Sequence, residues 1–299
     1  MPVDPTAGLP LRQRPDSPSR PRVLSIAGTD PTGGAGTQAD MKAIAAAGGF
    51  GYSVITGLLA QNSQGVYASH IPPRDFLVAQ LTAVSSDVEI DAIKIGMLGN
   101  SEIIGTVVSW LAELQAHRSR PYSLPVVIDP VIFTSTGARL LDKPAEDTLS
   151  TILDCATVIT PNTPELAWLV GTAPADSFQT AIIQATELAQ RYDCYVIVKS
   201  GHLRCSEPHN AAVSPAGEVT VVPAARISTS NTHGTGCALS ASLATCIGAG
   251  ISVAESLRLC TDWITEAIAA ADLLDIGKGA GPIDHFAHID RLITETTTS

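Results

Sequence analysis

Cysteine pairs of the C-x-x-C type are missing from this 299-residue chain, although cysteines stand at 155, 194, 205, 237, 246 and 260. That absence argues against a zinc ribbon or a thioredoxin-type redox site. Several of the six fall inside apolar patterns, where free cysteine packs as a small hydrophobe, and the reading is a reducing compartment. Charged side chains are few, at 16%, and their sum is −11. So acidic a chain makes a poor general partner for nucleic acid or an anionic membrane surface, and neither is expected. No apolar run reaches the length that crosses a bilayer. Residues 1–21 are rich in proline and arginine but lack the apolar stretch of a signal peptide, and read as a disordered leader. These absences together point to a cytoplasmic protein. Neither an internal repeat nor a linker-like break divides the body, so residues 22–290 are expected to form one domain, with a frayed tail at 291–299.

What is present is apolar material in short, regular runs. Hydrophobic residues make up 45% of the chain, enough for a large core. Strand-like runs at 23–27, 52–60, 92–97, 126–129, 157–160 and 195–199 alternate with helical patterns at 38–47, 75–86, 101–115 and 177–191. Thr163-Pro164-Glu165 supplies a cap, a proline at the first helical position and an acid in the first turn. The runs 211–213 and 218–222 bracket Ser214-Pro215-Ala216-Gly217 and predict a hairpin. Helices at 236–247 and 253–274 follow. Repeated strand–helix alternation predicts an α/β fold: a doubly wound, mostly parallel sheet with helices on both faces.

In such sheets ligands bind beyond the carboxyl ends of the strands. The glycine and polar residues of this chain gather there: the turn Gly28 to Gly36 followed by Asp40, then Gln61-Asn62, Gly96-Met97, Asp129-Pro130-Val131, Asn162 to Glu165, and Lys199 to His202. The first glycine turn matches neither the dinucleotide fingerprint nor the P-loop, so alone it reads equally as a tight strand-to-helix turn. Thr232-His233-Gly234-Thr235-Gly236-Cys237 says more. It opens a helical pattern, where bare amides and positive partial charge suit a transferring phosphoryl group. Cys237 sits where a helix start lowers a thiol pKa, or is a small buried residue. Lys199 either snorkels or neutralises phosphate. Glu165 either complements the helix dipole or joins Asp129 in holding hydrated magnesium. His233 has no visible partner and reads as structural. His202, His285 and His288 form no ligand pattern.

Taken together, these segments resemble the hydroxymethylpyrimidine and phosphomethylpyrimidine kinases, the thiamine-pathway branch of the ribokinase-like superfamily. The resemblance spans residues 22–286 and is carried by Ala27 to Gly36, Gln38-Ala39-Asp40, Ala60-Gln61-Asn62, Lys94 to Leu98, Ile159 to Asn162, Lys199 to Leu203 and Asn231 to Cys237. It implies ATP-dependent phosphorylation of 4-amino-5-hydroxymethyl-2-methylpyrimidine, then of its monophosphate, with ATP and Mg2+ as cofactors. Gly28, Asp40, Gln61, Met97 and Val131 match positions around the pyrimidine. Lys199, Asn162 and Thr232 match the nucleotide side, and Asp129 and Glu165 the magnesium. Gly234, Thr235 and Gly236 match the anion hole, and Cys237 the catalytic base. Two departures stand out. Many superfamily members carry aspartate where Cys237 stands, and the run Ile132 to Gly137 differs from the lysine-containing run usual there. The competing readings are a pyridoxal or pyridoxine kinase and a catalytically weak pyrimidine-binding protein. Partners beyond the small substrate and ATP are not expected, a second copy of the chain in a homodimer excepted.

Overall fold

The computed structural model describes residues 20–117, 124–132, 143–202 and 208–289. The expected tail and all but the last two residues of the expected leader lie outside these, as do residues 133–137 of the divergent run.

Nine strands form one sheet: β1 (Arg22–Gly28), β2 (Phe50–Asn62), β3 (Gly65–His70), β4 (Ala92–Ile95), β5 (Val126–Ile128), β6 (Val158–Ile159), β7 (Tyr195–Lys199), β8 (His209–Val213) and β9 (Val219–Pro223). Their order is β3-β2-β1-β4-β5-β6-β7-β8-β9. From β2 to β7 every pairing is parallel, while β3, β8 and β9 pair antiparallel. The strand order reverses at β1, whose neighbours are β2 and β4. That switch point is where an open α/β sheet leaves a crevice.

The parallel strands are apolar on both faces because helices cover both. Leu24 and Ile26, Ile93 and Ile95, and Val126 and Ile128 point into one core. It is completed by α2 (Arg74–Ser85), α3 (Ser101–Ala116), α4 (Lys143–Leu153), α5 (Thr163–Val170) and α6 (Phe178–Tyr192). Val23, Ala92 and Val127 point the other way, onto α1 (Gly36–Ala46), α7 (Thr235–Gly248) and α8 (Val253–Ala269). The alternation is the two-residue period of a strand.

The doubly wound expectation holds, with three differences. β2 runs on to Asn62 and turns into β3, a strand the sequence did not announce. Helix α4 is likewise additional. The helix expected over 253–274 ends at Ala269, and Ala271–Leu274 forms a separate 3-10 turn closed by Asp275 at φ 46°. The predicted hairpin is β8–β9, its turn closed by Ser214 N donating to Glu218 O at 2.9 Å.

Candidate active site

Two glycine-rich segments meet above the switch point. The first follows β1 and is organised by Asp30, which is almost fully buried. Asp30 Oδ1 accepts from Thr32 N at 2.9 Å and Thr32 Oγ1 at 2.7 Å. Asp30 Oδ2 accepts from Ala35 N at 2.8 Å and lies 2.8 Å from His233 Nε2. Burial pushes this carboxyl up, but hydrogen bonds from His233, Gln61 and Thr32 outweigh it and hold it well below the ordinary range.

The second segment opens α7. Gly234 is its N-cap at φ 79°, the left-handed region that glycine enters without strain. A β-carbon there would fall 1.7 Å from Gly34 O, so the two glycine segments touch backbone to backbone. A glycine cap offers no side chain to the amides that follow, which leaves the start of α7 suited to an anion. The position of a β-carbon on Gly236 is 3.6 Å from both Asp129 Oδ2 and Lys199 Nζ. These two groups come from the ends of β5 and β7 and stand 3.8 Å apart. Lys199 Nζ also donates to Thr160 O at 2.7 Å, which fixes the ammonium at the mouth of the sheet.

Asn162 and Glu165 form a reciprocal cap on α5. Glu165 N donates to Asn162 Oδ1 at 2.8 Å, and Asn162 N donates to Glu165 Oε2 at 2.9 Å. Ile132 N donates to Glu165 Oε1 at 3.3 Å. Burial, then the charge of Asp129, push the Glu165 carboxyl up to about 7 against the pull of Lys199. A buried acidic pair of this kind fits a hard divalent cation that keeps most of its water. Among the described residues no group of three or more His, Cys, Asp or Glu side chains could hold a metal by itself.

Beneath this surface lies a buried ion pair between Lys94 of β4 and Asp40 of α1. Ser25 of β1 adds a 2.5 Å hydrogen bond to Asp40 Oδ2. Burial pulls the Lys94 ammonium down, but Asp40, Cys237 and Asp129 around it outweigh that and keep it charged. Burial pushes the Asp40 carboxyl up against the pull of Lys94 and Ser25.

Cys237 is partly exposed at the start of α7. The helix start alone suggested a lowered thiol pKa. The structure reverses that expectation, with the thiol pushed up to about 11. Burial is the main cause. Lys94 opposes it, Asp129 and Asp40 add to it, and a hydrogen bond with the Gly36 backbone opposes it.

Of the residues matched to the pyrimidine, Gly28 and Met97 are in contact, the Met97 methyl lying against Gly28 and Gly57. Gln61 lies past a bulge in β2, and its side chain reaches Asp30. Val131 is half-buried, its amide donating to Asp129 O at 2.8 Å. Asp40 is wholly buried and engaged by Lys94 and Ser25, so it stands under the site rather than on its surface. Thr232 is exposed, its carbonyl accepting from Thr235 Oγ1 at 2.7 Å. Thr235 and Gly236 begin α7 beside Cys237.

Sequence reasoning gave no role to Lys94 or Asp30 and read His233 as structural without a partner. Lys94 carried a signal, a lone cation in the apolar run Ala92–Ile95. The Asp30–His233 contact spans 203 positions and carried none.

A family model described as phosphomethylpyrimidine kinase matches residues 30–284. The thiamine biosynthesis multifunctional protein ThiED of Corynebacterium efficiens is 52% identical over 275 residues, which cover 92% of this chain. The chain spans only 36% of that longer relative. The hydroxymethylpyrimidine/phosphomethylpyrimidine kinase of Escherichia coli is 41% identical over 268 residues, covering 89% of this chain and 98% of that protein. Among solved structures, the ADP complex of Bacillus subtilis pyridoxal kinase aligns with a TM-score of 0.78 at 27% identity, covering 91% of this chain and 99% of that one.

Proposed function

The chain belongs to the phosphomethylpyrimidine kinase family, and from that premise we propose that it phosphorylates 4-amino-5-hydroxymethyl-2-methylpyrimidine with ATP and then phosphorylates the monophosphate. The observation that carries this reading is the meeting of Lys199, Asp129 and the glycine-capped start of α7 at the carboxyl ends of β5 and β7. Phosphoryl transfer asks little covalent chemistry of a protein; it needs aligned groups and compensation for spread negative charge. Lys199 and the α7 amides supply that charge compensation. The ADP complex of the aligned pyridoxal kinase supports a nucleotide as the donor.

The pyrimidine would lie against Gly28, Met97, Val131 and Gln61. The Gln61 amide can donate to a ring nitrogen and accept from the exocyclic amine. Asp40 acts there from below, through Lys94. Asp129 and Glu165 would hold Mg2+ through its waters, and the cation would neutralise the phosphates of the nucleotide. Asn162 keeps Glu165 in place through the shared cap. Cys237 stands at the head of α7 to take the proton of the attacking hydroxyl.

A coupled assay of ADP release, run with the pyrimidine, its monophosphate, pyridoxal and pyridoxine, tests this reading. Turnover of the first two well above the others is the expected result. Preference for pyridoxal, the alcohol suggested by the aligned structure, would overturn the substrate assignment.

A further inference from the structure

We infer that His233 is a positioning residue for phosphoryl transfer, locking the substrate-side loop at 30–35 to the helix start that receives the transferring phosphate. The inference rests on the kinase reading above. His233 immediately precedes Gly234, the N-cap of α7. Three contacts hold it. Its Nε2 lies 2.8 Å from Asp30 Oδ2. Its backbone N donates to Gly281 O at 3.0 Å. Its ring packs so closely on the loop that a β-carbon on Gly34 would sit 2.6 Å from His233 Cδ2.

Asp30 is itself held on several sides. It is 1% exposed, and besides His233 its oxygens accept from Thr32 and Ala35 of its own loop and from the Gln61 side chain of β2. Ala35 is the N-cap of α1, and the Gly36 backbone next to it bonds Cys237. The start of α1 is thus set by Asp30 from one side, and the start of α7 by Asp30 through His233 from the other. That pair therefore bears on the spacing of the Gly36 amide, Cys237 and the Gly234–Gly236 amides, beside the backbone contact of Gly34 with Gly234. Oxyanion-type donors work only within a narrow distance of the developing charge. A glycine segment without side chains has few contacts of its own to hold it there. His233 supplies what the glycines lack.

The test compares His233→Ala, His233→Asn and His233→Gln with the unaltered enzyme in steady-state kinetics of both phosphorylations, alongside thermal melts. The Gln amide reaches the place of Nε2 and can still donate to Asp30; the Asn amide is too short. Misplacing reacting groups by about 1 Å costs roughly 10²-fold, so Ala and Asn should lower kcat about 10- to 100-fold in both steps, with the KM for the pyrimidine changed less than about threefold. Gln should return kcat to within about threefold of the unaltered enzyme. If the Ala variant does not fold, Gln against Asn decides. Equal losses in Gln and Asn, an unaltered kcat in Asn, or losses that follow the melting temperature would overturn the inference. Turnover by the unaltered enzyme separates this from the reading beneath it. Phosphorylation of pyridoxal alone would remove the pyrimidine but leave the same comparison to be made on that alcohol. No turnover of any of the four compounds would remove both.

Discussion

Lys94 Nζ lies 2.8 Å from Asp40 Oδ2 and 2.9 Å from Asp40 Oδ1, and neither side chain is exposed. Lys94 stands in β4 and Asp40 in α1, so the pair rivets the sheet to the helix that starts at the substrate loop. Two charges taken out of water are tolerated because each satisfies the other.

Removing one partner exposes the cost. Lys94→Met leaves the Asp40 carboxylate buried beside Ser25 alone, and breaking a buried pair this way costs about 3–5 kcal/mol. Lys94→Met combined with Asp40→Asn, whose neutral amide still accepts from Ser25, should regain most of that loss. Urea unfolding of the two variants measures the difference. Equal destabilisation in both would mean that packing, not the orphaned charge, governs the site.

The parallel strands were legible because burial on both faces leaves continuous apolar runs such as Val126–Ile128. The capped start of α5 was legible because Asn162, Pro164 and Glu165 each have a local reason to be there. β3 was not, since it is an edge strand exposed along almost its whole length and Gly65–His70 shows no apolar alternation. The end of α8 was missed because Leu273 and Leu274 continue an apolar pattern past Ala269 although Leu273 is 85% exposed. Within the site, glycine turns and strand-end residues were readable one by one. Asp30 with His233 was not, because a contact made across the fold leaves no mark on spacing. The thiol of Cys237 was misjudged for a similar reason. The helix start is local and visible, whereas burial, which pushes the thiol up most, and the charges of Asp129 and Asp40, which add to it, come from other elements.

Magnesium dependence isolates Glu165. Glu165→Gln keeps a carbonyl oxygen for the α5 cap but removes the charge that faces Asp129. Half-saturation by Mg2+ should shift upward about tenfold, the scale on which groups around a metal tune its affinity, while the KM for the pyrimidine stays nearly constant. The check is a magnesium titration of the initial rate at saturating substrates. An unchanged midpoint and maximum would remove Glu165 from the metal site.

His285 gives the fold an acid-sensitive element. It is buried against Trp263, and its Nε2 has no hydrogen-bond partner among the described residues. Burial, then the charge of Lys42, pull its pKa from 6.5 down to about 4. Between those values the unfolded chain binds a proton that the folded one refuses, so stability falls as pH drops through about 6.5 and levels off near 4. His285→Gln removes that titration. Subtracting its unfolding free energy from that of the unaltered protein cancels other groups, Glu165 included. The difference should decline across this window on acidification. A flat difference would mean that His285 titrates alike in both states.

Cys237 can accept a proton only as a thiolate, and a pKa near 11 leaves about one part in 10⁴ in that form at pH 7. Scarcity is partly offset, because a thiolate of high pKa is also the stronger base. If the thiolate accepts the hydroxyl proton, kcat for the first phosphorylation should climb about tenfold per pH unit between pH 7 and 9. The second phosphorylation attacks with a phosphate oxygen already ionised in that range, so its rate should stay level. Cys237→Ala should abolish the slope and lower the first step about 10²- to 10⁴-fold, the usual worth of a positioned base, while sparing the second. Cys237→Asp should restore part of the first step with no slope, because its carboxylate stays ionised throughout. Rates for both steps, taken across pH in the three proteins, separate a proton acceptor from a wall of the anion hole. A wall would fail both steps alike in the alanine variant and leave their pH profiles parallel, since losing shape costs every phosphoryl transfer the same and losing a base costs only the transfer that has a proton to give up.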